Sequence, residues 1–177
     1  IPSRGLGDVY KRQIYELSSE ISQMSPSAAL KKTGMTLVMK VGGASGPLYG
    51  SFFMGMAKHI KNDSIILEHL PAMLWGGIED VQKRGKSEAG QKTMLDTLIP
   101  AAKQLENEIE QGSCNKDIIE NVIKAAEVGC ESTKTMKALK GRASYLGERS
   151  IGHIDPGAMS SLLLIKAICN SIDVKNE

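Results

Sequence analysis

Apolar residues recur every three or four positions along most of this chain, which is the spacing of one face of an α-helix. Leu48, Phe52, Met56 and Ile60 are the clearest example, because each lies four residues after the one before it. No segment shows the strict apolar–polar alternation that is typical of a half-buried strand. The pattern predicts an all-α fold, an antiparallel helical barrel or bundle with its functional loops at one end. Similar stripes occupy residues 30–41, 67–81, 94–109, 119–133 and 162–168.

Polar loops that contain glycine separate the predicted helices. They span residues 42–47, 84–93 and 141–157. The first is either a helix–helix turn or a phosphate cradle, since glycines let backbone amides approach an anion at a helix start. The second contains Gly-Lys-Ser but is not a P-loop, because Asp80 stands where that motif needs its first glycine. The third contains Arg142 and Arg149, which either grip phosphates or are solvated surface charges.

Length and composition narrow the class further. The 177 residues suffice for one domain, and 41% hydrophobic with 24% charged residues is typical of a globular protein. Aromatic residues make up only 4%, which argues against a β-sandwich or β-barrel. A net charge of +2 argues against a dedicated nucleic-acid-binding protein. No apolar stretch is long enough to suggest a membrane span.

The reactive side chains predict neither a metal site nor a catalytic site. The three cysteines form no Cys-x-x-Cys pair and fit no disulfide framework, so we expect a reduced, cytoplasmic setting. The histidines are scattered and do not have the spacing of a zinc site. No Ser/His/Asp or Cys/His arrangement is evident, and no catalytic residue is predicted.

The first residues have an unusual sequence. Asp8-Val-Tyr-Lys-Arg-Gln13 looks like one reading frame of a sequencing-library adapter, and the residues after Gln13 start in the middle of a pattern. We therefore expect residues 1–13 to be a non-native segment, with a short native basic tail as the alternative. Residues 14–177 are then the native domain.

Five segments, taken together and in this order, resemble one protein family. The family is the nucleotide-binding L subunit (DhaL) of bacterial dihydroxyacetone kinase, and the same module forms the C-terminal domain of ATP-dependent dihydroxyacetone kinases. The resemblance extends over about residues 14–175. The segments are Lys32-Thr-Gly-Met-Thr-Leu37, Val41-Gly-Gly-Ala-Ser-Gly-Pro-Leu-Tyr-Gly50, Arg84-Gly-Lys-Ser-Glu88, Lys92-Thr-Met94 and Gly141-Arg-Ala-Ser-Tyr-Leu-Gly-Glu-Arg-Ser-Ile-Gly-His-Ile-Asp-Pro-Gly-Ala158.

The resemblance implies a helical module that holds ADP or ATP with magnesium in loops at one end. In the phosphoenolpyruvate-dependent system it implies two partners, a phosphocarrier M subunit and a K subunit that holds dihydroxyacetone. A module for another small ketose or polyol, such as erythrulose, and a non-catalytic nucleotide-binding regulatory module remain alternatives.

The resemblance also implies which residues meet the nucleotide. Ala44 and Ser45 would meet the phosphates, Gly85 and Met94 would line the adenine pocket, and Arg142 would contact the nucleotide. The last helix start would close over it with Asp155, Pro156 and Gly157.

One feature of the family is missing from this sequence. The family has a Gly-Asp-x-Asp-His-Gly motif ahead of the first matched helix, and its aspartates bind the magnesium ions. The 177 residues contain no such motif, and Asp8, in the suspected adapter, is not assigned as a ligand. The resemblance therefore implies a domain without its first helix and metal loop, and no metal ligand is predicted. Since hard cations need carboxylate oxygens, we expect weak binding of Mg-ADP and little phosphoryl transfer.

Overall fold

The computed structural model describes residues 18–173, and this part of the chain is helical with no β-sheet. The all-α prediction is confirmed. The predicted foreign segment, with Asp8, lies outside the described residues. The helices are α1 (Pro26–Lys40), α2 (Ser45–Ala57), α3 (Leu70–Gly85), α4 (Leu95–Glu110), α5 (Asn115–Ser132) and α6 (Pro156–Asp173), and 3₁₀ segments occupy Leu67–His69 and Arg142–Ser150.

Two helices have prolines at their starts, and one predicted loop contains short helical turns. Pro26 and Pro71 lie in the first turns of α1 and α3, where a missing N–H breaks no helical hydrogen bond. Asn115 is the first residue of α5, and no side chain caps that helix. The expected loop at residues 141–157 contains the 3₁₀ segment Arg142–Ser150, since short i→i+3 turns have no apolar stripe to detect.

Neighbouring helices run antiparallel, as predicted, and several of them approach each other at glycines. Along α1 and α2, Gly34 lies against Gly50, whereas Gly46 lies against Val41 at the end of α1. A Cβ on Gly34 would lie 2.6 Å from the Gly50 carbonyl oxygen, so only glycine permits this separation of the two helices. The pairings of α2 with α3 and of α4 with α5 have the same antiparallel order.

The last helix, α6, packs against α4 and α5. Thr97 Oγ1 of α4 donates to the Ala158 carbonyl at 3.1 Å, and the Tyr49 hydroxyl of α2 lies 3.0 Å from Ser161 Oγ. These contacts join the first turns of α4 and α6 to α2. The core between the helices is aliphatic, with Leu95, Leu98 and Ile78 fully buried.

Because the helices alternate in direction, three connections meet at one end of the bundle. They are residues 41–44, 86–94 and 133–155, and each overlaps one of the three glycine-containing loops picked out from the sequence. The other end has the 58–69 connection and an apolar cavity of about 140 Å³ lined in part by Leu67, Leu70 and Ile118. None of the helices within residues 18–173 is long and apolar enough to cross a membrane.

Candidate functional site

Two of the loops meet where α4 and α6 begin. Met94 stands at the N-cap position of α4 and is buried, and Gly157 lies in the first turn of α6. A Cβ on Gly157 would lie 3.4 Å from the Met94 nitrogen and 2.9 Å from Asp155 Oδ2. A Cβ at position 157 would be in ordinary van der Waals contact with Met94 but would crowd the Asp155 carboxylate. Met94, Asp155 and Gly157 are therefore neighbours although they are far apart in sequence.

The glycine-rich loop and the end of α3 form the adjoining part of this end. Ala44 is the N-cap residue of α2 and Ser45 is its first residue, and both are exposed. No side chain caps α2, so the amide of Ser45, its exposed first residue, is left for solvent or for a ligand. Gly85 ends α3, and its Cβ position lies 3.3 Å from Leu48 in the first turn of α2. The Tyr49 hydroxyl, 3.3 Å from the Gly157 carbonyl oxygen, links this part to α6.

The remaining predicted residues are at the surface of the same end. Pro156 is the exposed first residue of α6. Arg142 begins the 3₁₀ segment, and among the described residues its guanidinium has neither a hydrogen bond nor an ion pair. The structure thus brings Met94, Asp155 and Gly157 together, while no hydrogen bond or ion pair among the described residues joins Arg142 to them.

A buried lysine that the sequence reasoning assigned no role holds these loops together. Lys92 is 3% exposed, and its ammonium donates to the carbonyl oxygens of Thr133 (2.7 Å), Met136 (3.2 Å) and His153 (2.5 Å). All three ammonium hydrogens are therefore used. The backbone of Lys92 is left-handed, with φ of 60°, which is rare for a non-glycine residue. Its burial has little signal in the sequence, because lysine is usually exposed.

Asp96 organises the loop before α4 and was also missed. Its carboxylate accepts hydrogen bonds from the backbone N–H groups of Gly90 and Thr93, the latter at 2.8 Å. The side chain is buried, so these bonds replace water at the carboxylate. The spacing Thr93-x-x-Asp96 resembles a capped turn and was the one local signal that could have pointed to it.

Asp155, the residue just before α6, stabilises the start of that helix. Its Oδ2 accepts the Ala158 N–H at 2.8 Å, and its own N–H donates to Thr133 Oγ1 at 3.0 Å. Burial raises the pKa of Asp155, against the backbone hydrogen bonds that lower it. The Asp155 carboxylate thus acts as the N-cap of α6.

Magnesium has no site among the described residues. Within residues 18–173 no group of three histidine, cysteine, aspartate or glutamate side chains is placed to hold a metal ion. The two carboxylates at the loop end, Asp96 and Asp155, are already engaged by backbone N–H groups. The residues present therefore do not fit a bound magnesium ion.

Comparison with known proteins decides the family. The sequence model of the DAK2 domain family matches residues 9–170 of this chain. The chain belongs to the DAK2 domain family. The match reaches into the segment expected to be foreign, and the boundary at Gln13 stays a prediction.

This DAK2 domain has relatives that are similar over most of its length. It is 46% identical over 160 residues to the ADP-binding subunit DhaL of a PEP-dependent dihydroxyacetone kinase of Listeria innocua, covering 89% of this chain and 75% of the relative. It is 47% identical over 140 residues to the corresponding Escherichia coli subunit, covering 78% and 67%. The family resemblance stated from the motifs is thereby confirmed.

The crystal structure of the dihydroxyacetone kinase of C. freundii with AMP-PNP and Mg²⁺ has the same fold as this DAK2 domain. The TM-score is 0.66 at 22% sequence identity. The likeness covers 94% of this chain but only 27% of that one, so it supports the helical fold and nothing further.

Proposed function

We propose that this chain is the nucleotide-binding subunit of a dihydroxyacetone kinase. In the proposed reaction, a phosphoryl group from phosphoenolpyruvate passes through a phosphocarrier M subunit and the ADP bound here to dihydroxyacetone on a K subunit. The observation that supports this most is the identity of 46–47% to ADP-binding subunits of PEP-dependent kinases. A cytoplasmic location, residues 14–177 as the native domain, and the absence of nucleic-acid and membrane partners are parts of the same proposal.

The arrangement of the loop end suits an adenine nucleotide. The glycine beside Met94 leaves the start of α6 without a side chain, which would let a flat base approach the backbone there. The uncapped amide of Ser45 at the start of α2 suits an anion, since helix N-termini attract phosphate. This favours the phosphate cradle over the plain turn for residues 42–46.

The residues of this chain would bind and orient the nucleotide rather than react with it. Ala44 and Ser45 would hold phosphate oxygens, and Arg142 would supply a charged donor from the long loop. Asp155 is a carboxylate near that anion, but its cap on α6 keeps it turned to the Ala158 N–H. In phosphoryl transfer such positioning accounts for much of the rate enhancement.

One alternative is a non-catalytic nucleotide-binding regulatory module. It is supported by the finding that, within residues 18–173, no group of three histidine, cysteine, aspartate or glutamate side chains is placed to hold a metal ion. The identity of the sugar is weakly constrained, because the sugar would be held on the partner. Another small ketose or polyol is therefore the second alternative.

Calorimetric titration of the purified chain with ADP tests the nucleotide part of the proposal. We expect weak binding that changes little when Mg²⁺ is added, because no carboxylate cluster within residues 18–173 is available to hold the metal. Arg142→Ala should weaken ADP binding further. Tight binding that requires Mg²⁺ would contradict the metal inference, and no heat of binding at millimolar ADP would contradict the nucleotide proposal.

A further inference from the structure

The long loop between α5 and α6 has large apolar side chains in solvent. Tyr145 is 89% exposed and Leu146 is 47% exposed, and both lie in the 3₁₀ segment. Leu139 and Ile151, on either side of that segment, are exposed as well. A tyrosine that is this exposed contributes little buried surface to the fold. Tyrosine is, however, one of the residue types that most often anchor protein interfaces.

This loop is held in a defined shape. Lys137 forms an ion pair with Glu148 at 2.7 Å, and the Ala138 N–H donates to Ser150 Oγ at 2.9 Å. These two contacts join the residues just before the 3₁₀ segment to its end. The exposed side chains are therefore presented by a preorganised surface, which lowers the entropy lost on binding.

The same surface is basic. Between residues 137 and 151 the sequence has four basic residues, Lys137, Lys140, Arg142 and Arg149, and one acidic residue, Glu148. Glu148 is already paired with Lys137, and among the described residues Arg149 has no ion-pair partner. An apolar patch beside unpaired cations suits a partner whose own apolar patch is bordered by carboxylates.

The surface is tied to the nucleotide end. Lys92 binds the carbonyl oxygens of Met136 and His153 on the two sides of the loop, and the Gly152 N–H donates to the Lys134 carbonyl at 2.7 Å. Ile65 and Ile66 are also large apolar residues that are exposed, but they lie in the 58–69 connection at the opposite end of the bundle.

We propose that residues 139–151 are the docking surface for the partner subunit that holds the phosphoryl acceptor, with Tyr145 and Leu146 as its apolar anchors and Arg149 as a basic contact. This rests on the proposed function, which requires an acceptor on another protein to reach the phosphates at this end. A second copy of the chain fits this surface poorly, because a symmetric contact would place the two basic loops face to face.

The test measures binding of immobilised chain to a purified K subunit, that of the Listeria innocua kinase whose ADP-binding subunit is 46% identical. We expect Tyr145→Ala with Leu146→Ala to raise the Kd by about tenfold or more, as for interface anchors. Arg149→Glu should raise the Kd most at low salt. The matched control, Ile65→Ala with Ile66→Ala, removes side chains that are each 46% exposed at the other end and should leave the Kd unchanged.

The outcomes separate this inference from the proposed function. If the unaltered chain does not bind the K subunit, the proposed function fails. If it binds, and the Tyr145/Leu146 variant binds equally well or the control loses as much, the docking surface is wrong. A dimer of the chain that the same variant dissolves, measured by light scattering, would also overturn it. Circular dichroism should be the same for the variant and the unaltered chain, since neither side chain is buried. The ADP titration should also be the same, since neither residue is among those proposed to meet the nucleotide.

Discussion

Lys92 provides the sharpest test of how the loops are held. Replacing it by methionine keeps an unbranched side chain of similar length but removes the ammonium and its three hydrogen bonds to carbonyl oxygens. The left-handed backbone at this position is equally unfavourable for both residues, so its cost cancels in the comparison. The change therefore isolates the buried cation.

The expected loss of stability follows from the three acceptors. The Thr133 carbonyl also accepts the Met136 N–H at 3.3 Å, so it keeps a donor, whereas the carbonyls of Met136 and His153 lose the one that Lys92 supplies. A hydrogen bond from a charged donor contributes on the order of 1.5–3 kcal/mol. Relief of the buried charge offsets part of this. We expect Lys92→Met to lower the free energy of unfolding by about 3 kcal/mol.

Urea unfolding followed by the fluorescence of Trp75 measures this loss. Trp75 lies near the start of α3, at the opposite end of the bundle from Lys92, and its Nε1 donates to Glu106 Oε2 of α4. The control is Lys58→Met, which breaks the 2.6 Å ion pair between Lys58 and Asp80. Because the Lys58 side chain is 61% exposed, this change should lower the free energy of unfolding by less than about 1 kcal/mol. If Lys92→Met costs no more than Lys58→Met, the buried lysine does not hold the loops.

Three further results are expected. Gly34→Ala should lower the free energy of unfolding by about 1–3 kcal/mol, because the added Cβ would overlap α2. Gly42→Ala should be nearly neutral, because no atom lies within 4 Å of its Cβ position. Equal losses for the two variants would contradict the helix contact. Burial raises the Asp155 pKa above 3.8, so its contribution to stability is full below that value and is lost as pH rises through the folded pKa. The stability of the wild type relative to Asp155→Asn should therefore fall from acidic to neutral pH in urea titrations, and a constant difference would refute this. Arg142→Ala should weaken binding of ADP but not of adenosine, measured calorimetrically, and equal losses would exclude a phosphate contact.

The helices could be predicted from sequence because local signals agree with the tertiary packing. Proline and glycine mark the boundaries near Pro26, Pro71 and Pro156, and the four-residue apolar stripe of α2 faces the core through Phe52. Antiparallel order followed from short connections. The three loops were found as breaks in the stripes, and they do meet at one end.

The contacts inside the site could not be predicted in the same way. Lys92 is buried by partners that lie 41 to 61 residues away, and no local pattern encodes such a distance. The contact of Gly157 with Met94 likewise depends on how α4 and α6 pack. Met94 would be assigned to the core on its own pattern, and only the family resemblance predicted a role for it in a pocket.

Reconstituted kinase activity tests the central claim most directly. Purified K and M subunits of the Listeria innocua kinase would be mixed with dihydroxyacetone, phosphoenolpyruvate, Mg²⁺ and ADP. One sample would contain the unaltered chain, and a second a chimera in which the aspartate segment of the Listeria innocua relative precedes Ile14. We predict little or no dihydroxyacetone phosphate from the unaltered chain and clear production from the chimera. Full activity of the unaltered chain, or a folded chimera that binds the K subunit and remains inactive, would contradict the account in which these residues supply the nucleotide loops of a dihydroxyacetone kinase subunit and the aspartate segment supplies its metal carboxylates.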